Sequence, residues 1–240
     1  MSAAVAVRVE EHGDVRVLAL ARPPVNAVDL ELVEALSAVV LAAGAERSCR
    51  AVVVTGAAGV FCAGIDTKRI PAYDAALRAR MLRGVNRTVL ALYALAKPLV
   101  AAISGHALGA GLVLALTADV RLAARGAFRL GLTEGAAGIP FPACPMALVK
   151  AELAPETARR LVLSSATAPP DSPLFSGVVD RVVGADSLLE AALAEARSLC
   201  AQPSFAAVKQ QLRAATVARM RQIVDEDDEP LLAGWVERPT

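Results

Sequence analysis

Polar and apolar residues alternate over Val5–Val9, and an apolar run covers Val15–Ala21. The His12-Gly13-Asp14 turn between them predicts an opening β-hairpin. Pro23-Pro24 breaks that pattern, and Asp29 stands where its side chain can cap a helix running to about Ala45. Ala51–Thr55 is a short β-branched run closed by Gly56 and reads as a buried strand. A loop through Gly59 and Gly64 follows. Tyr73–Ala96 has helical spacing, with Leu77, Met81, Val85, Leu90 and Leu92 among its apolar positions, and Pro98 stops it. Leu99–Ile103 is another apolar strand, and Gly109–Ala118 is apolar on all sides, as a buried helix is. Val120–Ala124 is a further strand. Short strands alternating with helices predict an α/β layered fold.

The second half has a different period. Gly131–Pro145 is a Gly/Pro-rich loop. Pro145–Glu152, Pro155–Ser164, Ser187–Cys200 and Ser204–Val224 read as helices, and only Val178–Val183 as a strand. The acidic run Asp225–Glu229 reads as a solvated helix boundary ahead of Pro230 and a short tail holding Trp235. The chain thus divides into an α/β core, residues 1–185, and a helical C-terminal region, residues 186–240. The helical region is expected to pack on the core or on a neighbouring subunit.

Composition narrows the classes of function. The chain has 240 residues, 55% of them hydrophobic, with 25 Lys and Arg against 24 Asp and Glu. That balance offers no electrostatic footprint for nucleic acid or an anionic membrane. It also argues against disorder. Aromatics at 3% are too few for a base-stacking platform. Cys49, Cys62, Cys144 and Cys200 have no metal-clip or redox-pair spacing and read as buried small hydrophobes. His12 and His106 are the only histidines, which leaves little for a metal site. The N-terminus lacks a signal-peptide pattern, and no apolar run reaches about 18 residues unbroken. A cytoplasmic protein without a membrane segment is expected.

Two turns of small residues follow predicted strands: Phe61-Cys62-Ala63-Gly64-Ile65-Asp66 and Gly105-His106-Ala107-Leu108-Gly109-Ala110-Gly111. Small side chains leave backbone N–H groups uncovered, and at a helix start these sit at the positive end of the dipole. One N–H from each turn aimed at one point would form an oxyanion hole. Each turn alone also fits an ordinary tight turn. A dinucleotide fingerprint at Gly109-Ala110-Gly111 fails, because its third small position falls on Leu114 and no acidic residue ends a following strand about 20 residues on. Glu134 is a carboxylate in an apolar, Gly-rich setting, Leu130–Pro140, with Arg129 as its nearest charge in sequence. Desolvation there would raise its pKa and make it a base at neutral pH; a solvent-facing loop residue is the alternative. His106 reads as structural, and no Gly-x-Ser-x-Gly elbow occurs.

Taken in order, Pro23-Pro24-Val25-Asn26-Ala27, Phe61–Asp66, Ser104–Gly111 running into Leu112–Asp119, and Leu130–Glu134 with Gly138 resemble the crotonase superfamily, the enoyl-CoA hydratase/isomerase family. The resemblance spans nearly the whole chain. It implies a spiral of β-β-α units with a helical C-terminal region that builds homotrimers, often paired into hexamers. It also implies an acyl-CoA thioester substrate and no metal or redox cofactor, coenzyme A being part of the substrate. By position, the oxyanion hole falls on the N–H groups of Ile65 and Ala110, with Ala110 replacing the usual glycine. Ala27, Ala63, Gly64, Asp66, Lys68 and Gly109 fall where the family binds or borders coenzyme A, and Val113 and Ile139 on the acyl-pocket wall. Of the family's two hydratase glutamates, one aligns with Glu134; the other aligns with Val113, which does no acid–base chemistry.

Water addition needs one group to activate water and one to protonate the α-carbon. A double-bond shift needs only one base, which moves a proton from C2 to C4. The resemblance therefore points to a Δ3,Δ2-enoyl-CoA isomerase of fatty-acid β-oxidation with Glu134 as the base. Gly138-Ile139-Pro140-Phe141-Pro142, Val208-Lys209 through Met220-Arg221, and Leu231–Trp235 resemble those isomerases as well. A hydratase or another crotonase-type reaction, and a catalytically weak acyl-CoA-binding protein, are the alternatives.

Overall fold

The computed structural model describes residues 6–57 and 59–236. The strands are β1 (Val7–His12), β2 (Val15–Leu20), β3 (Ala51–Gly56), β4 (Leu99–Ile103), β5 (Ala107–Leu108), β6 (Val120–Ala124), β7 (Leu130–Gly131) and β8 (Arg181–Val183). The α-helices are α1 (Leu30–Ala45), α2 (Ala75–Tyr93), α3 (Ala110–Leu116), α4 (Ala143–Glu152), α5 (Pro155–Ser164), α6 (Leu188–Cys200), α7 (Phe205–Asp225) and α8 (Leu232–Val236). Six strands form one sheet in the order β1-β2-β3-β4-β6-β8, and β5 and β7 form a second pair. The opening hairpin is antiparallel, with Val9 opposite Leu18, and every later pairing is parallel.

Parallel strands are covered on both faces, which is why Ala51–Thr55 and Leu99–Ile103 are continuous apolar runs rather than alternating ones. Helix α6 lies across β3, β4 and β6, and its fully buried Ala192 and Ala196 let the backbones approach closely. Helices α1 and α2 pack together, and α7 packs on α2 and α4. The Asp29 carboxylate accepts from the Leu32 N–H at 2.9 Å and starts α1 where its sequence places it.

Helix α7 is pinned to the sheet by ions. Asp119 accepts from Lys209 Nζ at 2.7 Å and pairs with Arg213 at 3.1 Å, while also taking the Leu99 N–H. Burial pulls the Lys209 ammonium down to about 8, and Asp119 opposes that shift. The Arg213 guanidinium stacks 4.0 Å over the Tyr93 ring.

Several sequence expectations need correction. The strand expected over Val178–Val183 is only Arg181–Val183, because the N–H groups of Val178 and Val179 turn back to Phe175 O. The helix expected from Tyr73 to Ala96 begins at Ala75, capped by the Asp74 side chain, and ends at Tyr93. Helix α3 is shorter than Gly109–Ala118, and α4 starts two residues before Pro145. The Gly131–Pro145 loop opens on β7, which follows from β5 rather than from any local apolar run. In the opening hairpin, β1 extends to His12, and Val5 lies outside the described residues. Cys200 is half-buried rather than buried. The acidic run is not wholly solvated, since Glu229 is buried.

Candidate active site

The residue chain 62–66 runs beside two neighbours. Ile65 forms a parallel bridge to Val28, with Val28 N–H donating to Gly64 O at 2.7 Å and Asp66 N–H to Val28 O at 2.9 Å. In such a bridge the central residue's own N–H points away from its partner strand, so the Ile65 N–H is turned from Val28. Cys62 bridges Ala107 in the same way, with Cys62 N–H donating to His106 O and Leu108 N–H to Cys62 O. This seats the start of α3 against the 62–66 segment. Gly111 is held so tightly that a Cβ there would lie 2.1 Å from Cys62 O. Gly64 has φ +90°, and a Cβ on it would lie 2.8 Å from Leu108 O and 3.8 Å from the Ala110 nitrogen. Glycine is demanded twice there, by conformation and by space. Among the described residues, neither the Ile65 nor the Ala110 N–H donates to a protein acceptor. The Gly109 N–H is used, on Gly131 O at 2.8 Å.

Glu134 follows β7 in a turn closed by the Ala137 N–H on Thr133 O and the Ile139 N–H on Glu134 O. It is 8% exposed, and its Oε2 has no hydrogen-bond partner among the described residues. Burial pushes its carboxyl up to about 7, with its own backbone N–H opposing only in part. Arg129, near it in sequence, is bound to the Thr167 hydroxyl at 2.7 Å. Gly109, with φ +51°, carries the chain past this carboxylate: a Cβ there would sit 3.5 Å from Glu134 Oε1.

Ile65, Ala110, Val113, Glu134 and Ile139 line one narrow cavity of about 40 Å³. The rest of its wall includes Val28 and Leu32 near and in α1, Val85, Thr88 and Val89 from α2, and Pro142 and Pro145. Glu134 is the only acid lining it among the described residues. Ile65, Ala110, Val113, Glu134 and Ile139 are the lining residues expected from the sequence; those from α1 and α2 are indistinguishable from core positions along the chain. A second cavity of about 240 Å³ shares Ile65 and Ile139 with the first and is bounded by Ile70, Arg78 and Trp235.

None of the positions expected to border coenzyme A lines either cavity. Ala27 and Ala63 are half-buried in the paired segments, where Ala63 N–H donates to Val25 O. Lys68 is exposed. The Asp66 carboxylate is engaged within the fold: it accepts from the Lys68 and Arg69 N–H groups and pairs with Arg22 at 3.0 Å. Burial pushes that carboxyl up, but these donors outweigh it and hold it below its usual range. Asn26, φ +52°, braces the same region, donating to Val60 O at 2.8 Å and accepting from the Arg22 N–H.

The raised Glu134 carboxyl also sets a pH dependence of stability. Between pH 4.5 and about 7 the folded chain holds a proton at Glu134 that the unfolded chain has released, so stability falls as pH rises through that window. Glu134→Gln removes the titration. The variant should be more stable than wild type at pH 8, by up to about 3 kcal/mol, with the gap closing towards pH 4.5. Urea unfolding at the two pH values measures this; an equal gap at both would contradict it.

The family model for enoyl-CoA hydratase/isomerase matches residues 10–231. A probable enoyl-CoA hydratase, EchA17 of Mycobacterium tuberculosis, is 34% identical over 189 residues, covering 79% of this chain and 72% of the relative. A (7aS)-7a-methyl-1,5-dioxo-2,3,5,6,7,7a-hexahydro-1H-indene-carboxyl-CoA hydrolase of the same organism is 34% identical over 204 residues, covering 82% and 80%. The crystal structure of human mitochondrial Δ3-Δ2-enoyl-CoA isomerase superposes with a TM-score of 0.87 at 29% identity, covering 96% of this chain and 90% of that one. No helix among the described residues is long and apolar enough to cross a membrane.

Proposed function

The chain belongs to the enoyl-CoA hydratase/isomerase family, and we propose that within it the chain is a Δ3,Δ2-enoyl-CoA isomerase. The observation that carries this reading is one buried carboxylate, Glu134, the only acid among the described residues lining a mostly apolar cavity that Val113 also lines. The thioester oxygen sits between the N–H groups of Ile65 and Ala110. Polarisation there acidifies C2–H, and Glu134 takes that proton, leaving a dienolate whose oxyanion the two donors stabilise. The protonated Glu134 then returns the proton to C4. The double bond moves from C3–C4 to C2–C3, and the base ends as it began. A carboxyl near 7 suits both halves, since it must accept and release one proton in each turnover.

Ala27, Ala63, Gly64, Asp66, Lys68 and Gly109 form the coenzyme A side of this reading, Asp66 by shaping the loop rather than by offering its carboxylate. No metal or redox cofactor takes part. The exposed Val208 and Leu212 of α7 support a homo-oligomer, most simply a trimer or a pair of trimers.

The hydratase reading is favoured by the M. tuberculosis relative, a probable enoyl-CoA hydratase. It asks for a second group to hold water, which Val113 does not supply. Purified protein given a 3-enoyl-CoA should yield the conjugated 2-enoyl-CoA, followed by its thioester absorbance; no conversion would refute the isomerase.

A further inference from the structure

Two elements that wall the acyl cavity, α2 and the start of α4, and the C-terminal segment that lines the second cavity meet at one buried carboxylate that lines neither cavity. Glu229, 7% exposed, lies in the segment between α7 and α8. Its Oε2 accepts from Asn86 Nδ2 at 2.7 Å and from the Ala143 N–H at 2.8 Å, and its Oε1 from the Leu231 N–H at 3.0 Å. Asn86 in turn accepts from the Cys144 N–H at 3.0 Å. Asn86 is flanked on α2 by the cavity residues Val85, Thr88 and Val89, and Ala143 and Cys144 by Pro142 and Pro145.

Helix α4 has proline at its N-cap position and no side-chain cap of its own. Its first free N–H groups are therefore satisfied from outside, by Glu229 and Asn86, and the carboxylate also sits at the positive end of the helix. The same residue fastens the C-terminal segment. On either side of Glu229, Asp227 pairs with Arg83 at 2.6 Å, and the Trp235 indole donates to Arg78 O at 3.0 Å. Trp235 then closes the second cavity, beside the Ile65 and Ile139 shared with the first.

We infer that Glu229 is a positioning and specificity-determining residue, which clamps α2, α4 and the C-terminal segment together and keeps the acyl cavity narrow, so that the enzyme takes short-chain acyl-CoA thioesters. The inference rests on the acyl-CoA reading of the site but not on whether the reaction is isomerisation or hydration. The cavity is about 40 Å³, and part of its wall comes from α2 and from Pro142 and Pro145 at the start of α4, the elements that Glu229 joins. Losing the carboxylate leaves buried N–H groups on α4 and the Asn86 amide unsatisfied, which favours an opened arrangement wetted by solvent. An opened cavity admits more methylenes of a long chain and holds a short one less firmly.

The test is binding of butyryl-CoA and decanoyl-CoA, saturated thioesters that do not react, measured calorimetrically on wild type, Glu229→Ala and Glu229→Gln. Wild type should bind butyryl-CoA at least as tightly as decanoyl-CoA. Glu229→Ala should shift the ratio of the two affinities at least fivefold towards decanoyl-CoA, and Glu229→Gln, which keeps the shape and one acceptor, should shift it less. A uniform loss of stability would weaken both ligands alike and leave the ratio unmoved. The Gln variant carries the test if the Ala variant does not fold, with a shift of at least twofold expected. A folded variant with the wild-type ratio overturns the inference, as does a wild type that prefers decanoyl-CoA. A wild type that binds neither thioester overturns the acyl-CoA reading on which it depends.

Discussion

Glu134→Gln should lower isomerase turnover by about 10²- to 10⁴-fold, the usual worth of a positioned base, while acyl-CoA affinity changes little. The geometry explains why the two effects separate. Glu134 Oε2 has no hydrogen-bond partner among the described residues, so the amide breaks no contact there. The glutamine has the same volume and removes a charge that burial disfavours, so the cavity keeps its shape. What disappears is the ability to hold a proton between C2 and C4. Steady-state turnover of a 3-enoyl-CoA, with affinity for a saturated acyl-CoA measured alongside, checks both halves. A variant retaining more than about a tenth of wild-type turnover would place the base elsewhere.

Ala110→Pro should cost about 10²- to 10³-fold in turnover, comparable with the loss of a single oxyanion donor in other enzymes. A backbone N–H is seldom removable by mutation, but Ala110 is the first residue of α3, directly after its N-cap Gly109. Proline is well accepted at that helical position, because the N–H it lacks is not needed by the helix. Here that N–H donates to no acceptor among the described residues, so the fold loses no bond there. The ring would also place a methylene where the oxyanion should sit. Thermal unfolding near wild type together with lost turnover supports the hole. Near-normal turnover in a folded variant would show that Ala110 is not a donor.

The parts of the molecule legible in its sequence are those set by local chemistry. Asp29 caps α1 and Gly64 fills a turn that no other residue fits, and both are visible as residue types at particular places. The buried strands at Ala51 and Leu99 show as unbroken apolar runs because both their faces are covered. Glu134 stands out as a carboxylate among apolar and Gly neighbours. The rest depends on partners distant in sequence. Leu32 and Val89 look like core residues, and only the packing of α1 and α2 turns them into a cavity wall. Glu229 sits in an acidic run that reads as solvated, yet its partner Asn86 lies 143 positions away. The start of α4 carries no local signal for the same reason, since its first N–H groups are met by Glu229 and Asn86 rather than by the residues before it. The short strands β5 and β7 exist only through each other, two residues apiece, and carry no periodicity to detect.

In the isomerase reading, Val113 is the residue that separates the two chemistries the family offers. It lies in the first turn of α3, its N–H bonded back to Gly109 O, and it shares the cavity with Glu134. As valine it makes that wall dry, which suits a proton shuttle and gives water no polar anchor. The most direct measurement is therefore the wild-type protein assayed side by side on a 3-enoyl-CoA and the matching 2-enoyl-CoA at one pH. Isomerisation of the first should exceed hydration of the second by well over tenfold in kcat/KM. Hydration equal to or faster than isomerisation would contradict the single-base mechanism and make the chain a hydratase.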